Sequence, residues 1–124
     1  MVYGVGIDNV QISRMEKSLQ KPRFAKWVFS EEELAMLEGL APAKYLESAA
    51  GCFAAKEAFL KAAGVGLGGF ALHEMAALRK ESGQPYMAPS GKTADYCTEN
   101  NLTCHLSITH DGGIATAIVI LEQR

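Results

Sequence analysis

The stretch from about Ala43 to Ala63 constrains this chain more than any other. It contains no proline and reads as one long helix, with Pro42 just before it and Gly64 just after it. Leu46, Ala50, Phe53, Glu57 and Leu60 share one face at helical spacing, while Ala55 and Phe59 lie elsewhere on the circumference. A helix that is apolar most of the way round must be surrounded, so the rest of the chain has to pack about it. Glu57 is out of place in that setting. An unpaired carboxylate there costs several kcal/mol or titrates to neutral.

A second acid stands in similar company. Asp8 closes the apolar stretch Val2-Tyr3-Gly4-Val5-Gly6-Ile7, which alternates as a strand does over residues 2 to 8. Its two glycines leave room for another element to approach closely. Two readings of Asp8 stand: a helix N-cap in Asp8-Asn9-Val10-Gln11, or one of a pair of carboxylates around a cation. For Glu57 the structural alternative is an ion pair with Lys61, four residues on. That pair suits an exposed helix surface, so a functional role is favoured. Lys56 and Lys61 are read either as solvated surface lysines or as charges that neutralise a phosphate beside the cation.

Around the long helix the chain divides into short elements. Gln11 to about Gln20 is an amphipathic helix with Ile12, Met15 and Leu19 on one side and Arg14, Lys17 and Lys21 on the other. Pro22 stops it. Ser30-Glu31-Glu32-Glu33 is a capping box that starts a short helix through Leu37, ending at Gly39. Residues 71 to 80 read as a strand, Gly83-Gln84-Pro85 as a turn and Tyr86-Met87 as a short return strand. A weakly amphipathic helix follows from about Gly91 to Asn100. Residues 103–109 and 114–121 form two strands joined at Asp111-Gly112-Gly113, a hairpin signal. The expected fold is a single α+β domain over residues 1–124, a small antiparallel sheet wrapped by helices with one long central helix.

Composition removes several function classes. The 124 residues carry a net charge of −2, which does not favour bulk nucleic-acid or membrane binding. No apolar run is long enough to span a bilayer, and the N-terminus lacks a signal-peptide pattern, so a cytoplasmic location is expected. Cys52, Cys97 and Cys104 form no CxxC pair and are read as buried thiols. The glycine run from Gly64 to Gly69 follows a helix and lacks a Gly-Lys-Ser/Thr ending, so it is no P-loop. Gly64 itself fits the C′ position of the helix, with an anion nest open to the glycines beyond. His105, Ser107 and Thr109 form a polar row on one strand face, either a plain solvent face or a seat for a phosphorylated ligand. Arg14, Lys17, Lys21, Arg23 and Lys26 form a basic row, read as a solvated face or as a dock for an acidic partner protein. No Ser/His/Asp or Cys/His spacing supports covalent catalysis.

Several of these strings together resemble a known family. Gly6-Ile7-Asp8 with Arg14 downstream, Arg23-Phe24, and the run Phe53-Ala-Ala-Lys-Glu-Ala-Phe-Leu-Lys-Ala-Ala-Gly64 are similar to the 4′-phosphopantetheinyl transferases, more narrowly the holo-[acyl-carrier-protein] synthases. The likeness continues through Gly66, Gly83-Gln84-Pro85-Tyr86 and His105-Leu-Ser-Ile-Thr-His110, and covers essentially the whole chain. It implies transfer of 4′-phosphopantetheine from coenzyme A to a serine of an apo acyl carrier protein. Adenosine 3′,5′-bisphosphate is released and Mg²⁺ is required. It implies homotrimers with active sites between subunits, and a place in fatty-acid biosynthesis. Carried over residue by residue, Asp8 and Glu57 become magnesium ligands. Lys61 lies near the coenzyme A pyrophosphate, and these three form the catalytic set. Lys44, Gly64, Pro85, His105 and Thr109 join Lys61 on coenzyme A. Arg14, Lys21, Arg23 and Phe24 dock the carrier protein. Either a metal-bound water or Glu57 itself serves as base for the acceptor hydroxyl, and the sequence does not choose between them.

Two positions depart from the family pattern. Cys52 stands where family members often have an arginine that meets the 3′-phosphate of coenzyme A, so either another cation, with Lys44 as the candidate, takes the load or coenzyme A binds more weakly. Gln84 stands where a lysine is frequent.

Overall fold

The computed structural model describes residues 1–124. Strand β1 (Val2–Gln11) leads into helix α1 (Ile12–Leu19), then α2 (Phe24–Val28), α3 (Glu31–Glu38) and the long α4 (Pro42–Ala63). A 3₁₀ turn, Leu72–Glu74, precedes the hairpin β2 (Met75–Arg79) and β3 (Pro85–Pro89). Helix α5 (Gly91–Glu99) and the long hairpin β4 (Leu102–Asp111) and β5 (Ile114–Gln123) complete the chain. The strands make two antiparallel sheets, one of order β1-β5-β4 and one of β2-β3. The expected α+β architecture is therefore present, with the sheet divided in two. No helix is long and apolar enough to cross a membrane.

The three-stranded sheet lays one face on α4. Ala115, Ala117, Val119 and Leu121 of β5 are fully buried there, together with Ala54, Ala55, Ala58 and Phe59 of the helix. These small side chains let the backbones come close, and β1 goes furthest. A Cβ at Gly6 would stand 1.8 Å from the Ala58 carbonyl oxygen, and one at Gly4 the same 1.8 Å from that of Ala62. Only glycine permits this approach. The row Leu46, Ala50, Phe53, Glu57, Leu60 runs along the edge of the buried side: Ala50 and Leu60 are buried, whereas Leu46, Phe53 and Glu57 are half-buried.

Several sequence expectations are corrected. β1 extends to Gln11 because it stays paired with β5 through Gln11 and Ile114. That pairing holds Asp8 inside the strand. The N-cap of α1 is Gln11, which makes no side-chain capping bond, so the cap reading of Asp8 falls. Residues 72–74 are a 3₁₀ turn and not strand. A short helix, α2, follows the Pro22 break, a segment to which the sequence assigned no element.

The largest correction concerns Lys56. It is neither a solvated lysine nor a phosphate ligand, because its side chain is wholly buried. Its Nζ donates to Glu33 Oε1 at 2.6 Å, to the Leu72 carbonyl at 3.0 Å and to the Met75 carbonyl at 2.9 Å. All three ammonium protons therefore have acceptors. Glu33 Oε2 in turn accepts from the Ala77 amide at 2.9 Å, while its Oε1 also closes the capping box with the Ser30 amide. Burial pulls the Lys56 pKa down and the Glu33 charge opposes that pull. The cluster ties α3, α4, the 3₁₀ turn and β2 together. Lys56→Met should cost about 3–5 kcal/mol of unfolding free energy, because it leaves the Glu33 carboxylate buried without its counter-charge and takes a donor from the Leu72 and Met75 carbonyls. Denaturant titration checks this. Lys56→Met/Glu33→Gln should lose less than the two single variants summed, whereas additive losses would show an uncoupled pair.

Candidate active site

The contact of β1 with α4 brings three predicted residues together. Asp8 has the same strand parity as Gly4 and Gly6, so its side chain points to the helix side. It is 19% exposed. Lys61, in the last turn of α4, donates from Nζ to Asp8 Oδ1 at 3.1 Å and to the Ile7 carbonyl at 2.9 Å. Lys61 therefore pairs with Asp8, and the Glu57–Lys61 helix pair read as the structural alternative does not form. Glu57 lies one turn earlier on the same helix. Its carboxyl is pushed above the ordinary glutamate range, first by burial and then by the charge of Asp8, while Lys61 pulls it back. Two carboxylates thus repel each other, and Lys61, bonded to Asp8, offsets part of that repulsion.

This arrangement suits a hard cation. No third His, Cys, Asp or Glu joins the two carboxylates, so most of the shell of a metal held here would be left to other oxygens. Magnesium behaves in this way, taking one or two carboxylates plus phosphate oxygens and water. A bound cation would also relieve the repulsion that raises Glu57.

Beside Asp8 lies a cavity of about 560 Å³, walled by Arg14, Met15, Phe24 and Phe53 among others. Arg14 and Phe24, both expected to meet the partner, thus share a cavity wall with the expected metal ligand. Lys21, Arg23 and Phe24 continue onto a shallow surface groove together with Trp27, which is more than half exposed. Phe24 packs on Trp27 and on Phe53, with ring centroids 6.4 and 6.0 Å apart. An aromatic path therefore leads from the surface to one turn before Glu57. The sequence reading passed over Trp27. Its place three residues after Phe24, in the segment following Pro22, was the available signal.

The remaining predicted residues scatter. Lys44 and Thr109 line a second cleft of about 450 Å³, with Glu47, Cys52, Arg79, Gly83 and His110. Pro85 is not in its wall, because the turn presents Gly83 instead. Gly64 is the C-cap of α4 in the left-handed conformation, φ 75°, as expected for C′, and its N–H is committed to the Lys61 carbonyl at 3.1 Å. That amide is therefore not free for a ligand. His105 stands on the sheet face away from α4, opposite Ile120 and then Val5, with Nε2 3.0 Å from Glu122 Oε1. Strand parity thus separates it from Asp8 of the same chain. Cys52, Cys97 and Cys104 are free, the first two buried and Cys104 partly so.

Comparison with known proteins gives this geometry a family. Residues 4–119 match the model of the 4′-phosphopantetheinyl transferase superfamily. The chain belongs to that superfamily. It is 39% identical to holo-[acyl-carrier-protein] synthase of Treponema denticola, over 98% of this chain and 99% of the relative. Among solved structures, the Bacillus anthracis holo-(acyl-carrier-protein) synthase in complex with CoA (3′,5′-ADP) superimposes with TM-score 0.86 at 32% identity, covering 100% of this chain and 99% of that one. The Neisseria meningitidis enzyme gives 0.88 at 28% identity, covering 99% and 100%. The chain is thus a transferase of the holo-[acyl-carrier-protein] synthase type, and the family reaction moves 4′-phosphopantetheine from coenzyme A to a serine of an acyl carrier protein. For this transferase the raised Glu57 pKa has a consequence that needs no turnover. The folded state holds the Glu57 proton more tightly than the unfolded chain. Its contribution is fully present below the unfolded carboxylate pKa, about 4.3, and is lost as pH rises through the higher folded value. In chelator, Glu57→Gln should therefore raise the melting temperature at pH 7 and leave it unchanged near pH 4, read by thermal denaturation at both pH values.

Proposed function

We propose that this chain is a magnesium-dependent holo-[acyl-carrier-protein] synthase whose residues 1–124 act as one domain. The observation that carries the reading is the convergence of Asp8, Glu57 and Lys61 beside a cavity that also holds Arg14 and Phe24. A donor with two linked phosphates and an acidic acceptor protein would meet there.

Each residue has a physical task. Asp8 and Glu57 hold the cation, and when bound it stabilises charge gathering on the leaving phosphate. Lys61, anchored by the Ile7 carbonyl, places a second positive charge beside the pyrophosphate. The acceptor serine must lose a proton, and a metal-bound water or Glu57 itself takes it. Arg14, Lys21 and Arg23 supply positive charge for an acidic carrier protein, and Phe24 with Trp27 supplies the apolar anchor at the centre of such a contact.

The same reading includes a homotrimer with active sites at the subunit interfaces. Its support is the outer face of the three-stranded sheet. Val5 and Ile7 of β1 are 55% and 57% exposed, and by register they adjoin Ile120 and Ile118 of β5. An apolar sheet face of this kind calls for a partner. His105 lies on that face, so in an assembly it would serve a neighbour's site. The free thiols accord with a reducing compartment, and the proposed location is the cytoplasm.

Mass spectrometry of an apo acyl carrier protein incubated with this chain, coenzyme A and Mg²⁺ tests the proposal. The carrier should gain the phosphopantetheine mass, and chelation should stop the gain. Glu57→Ala should lower the rate about 10²–10³-fold with the circular dichroism spectrum intact. An unmodified carrier with the wild-type chain would refute the activity, and near-normal turnover by the variant would refute the role of Glu57.

A further inference from the structure

The buried pair of Lys56 and Glu33 is chemistry that the proposed mechanism does not use. Both side chains are wholly buried, with Nζ 2.6 Å from Oε1. Breaking such a pair is costly, yet apolar side chains of similar volume often hold a fold as well. What the pair adds is direction. The acceptors of Nζ come from three different elements: Glu33 of α3, the Leu72 carbonyl of the 3₁₀ turn and the Met75 carbonyl at the start of β2. Glu33 itself is held in place, because Oε2 accepts from the Ala77 amide at 2.9 Å and Oε1 from the Ser30 amide at 3.0 Å. One point on α4 is thereby fixed against three separate parts of the chain.

The contact of α4 with the strand that carries Asp8 gives no such fix. β1 meets the helix through Gly4 and Gly6, over the Ala62 and Ala58 carbonyls. Glycine against a carbonyl sets how near the two elements lie. It sets the turn of the helix about its own axis only weakly, because neither glycine has a side chain to interlock with the helix surface. That angle matters to the site. A glutamate carboxylate sits roughly 5–6 Å from a helix axis, so a turn of about 20° moves it about 2 Å. Magnesium demands near-ideal octahedral geometry, and a displacement of that size would part Glu57 from a cation held by Asp8. The same turn would draw Lys56 Nζ off its acceptors, now 2.6, 3.0 and 2.9 Å away.

We infer that Lys56 is a positioning residue for the cation site: anchored to Glu33 and the two carbonyls, it fixes the rotation of α4 so that Glu57 faces Asp8. The inference rests on the proposed function for the cation. Glu57 would touch the metal, and Lys56, next to it in sequence, acts only through the helix they share.

Mn²⁺ binding, read by electron paramagnetic resonance on the full-length protein without coenzyme A, tests this apart from turnover. Glu57→Ala should remove the binding and so locate it. Lys56→Met should weaken Mn²⁺ about ten- to a hundredfold, the range for residues that orient metal ligands without touching the metal. Leu102→Ala truncates the core at the start of β4. It should lower the melting temperature and leave Mn²⁺ affinity unchanged. Lys56→Met/Glu33→Gln should melt above Lys56→Met, because no unpaired charge stays buried, and should bind Mn²⁺ just as weakly. Where Lys56→Met does not fold, the double variant carries the test. Wild-type affinity in either Lys56 variant, affinity that recovers along with the melting temperature, or an equal loss in Leu102→Ala would overturn the inference. Binding lost with Glu57→Ala and kept in both Lys56 variants removes this inference alone. Binding indifferent to Glu57→Ala removes the cation site and this inference with it. Lys56-dependent binding in a chain that fails the carrier-protein assay removes the transferase reading alone.

Discussion

The contact between strand β1 and helix α4 is the constraint on which the site depends. Gly4 and Gly6 let the strand come so close that an added methyl would overlap the Ala62 and Ala58 carbonyls. At an ordinary strand–helix separation, Asp8 would stand too far from Lys61 for their 3.1 Å pair and from Glu57 for their mutual repulsion. The alanines of α4 and β5 serve the same end, keeping backbones near one another in a core that is small-residue rich. Packing here sets chemistry: the two carboxylates are neighbours because the side chains between their elements are absent or small.

A second, buried constraint fixes the other side of α4. Lys56 and Glu57 are adjacent in sequence and point into different worlds. Lys56 turns inward to Glu33 and to the carbonyls around the 3₁₀ turn, and Glu57 turns to the rim. With Lys56 anchored at three acceptors, the helix has little freedom to rotate about its axis, and rotation is what would carry Glu57 away from Asp8. The buried pair thus acts as a rotational stop for the face that carries Glu57. Because β2 hangs on the same cluster through the Ala77 amide, the position of Arg79 two residues later is also set by it.

Much of this was legible in the sequence, and the gaps have physical causes. The long helix, the final hairpin, the capping box and the glycine-permitted approach were all readable, because each has a local signature in spacing or turn chemistry. Asp8 and Glu57 stood out because acids in apolar runs carry a burial cost. The same argument applied to Lys56 and was not followed, since a long lysine can snorkel and its partner Glu33 was already explained as a capping residue. His105 was placed on the right strand, but only register shows that it faces away from Asp8. The second cleft was not legible for a different reason: it is assembled from four separate elements, and no local spacing announces such a meeting.

The central claim is that Asp8 and Glu57 together form a cation site that meets the donor's phosphates. Anomalous diffraction from crystals grown with Mn²⁺ and coenzyme A tests it most directly. A peak within bonding distance of an oxygen from each carboxylate and of a pyrophosphate oxygen is the predicted result. Bound coenzyme A with no peak between Asp8 and Glu57, or a peak held by only one of them, would contradict the account.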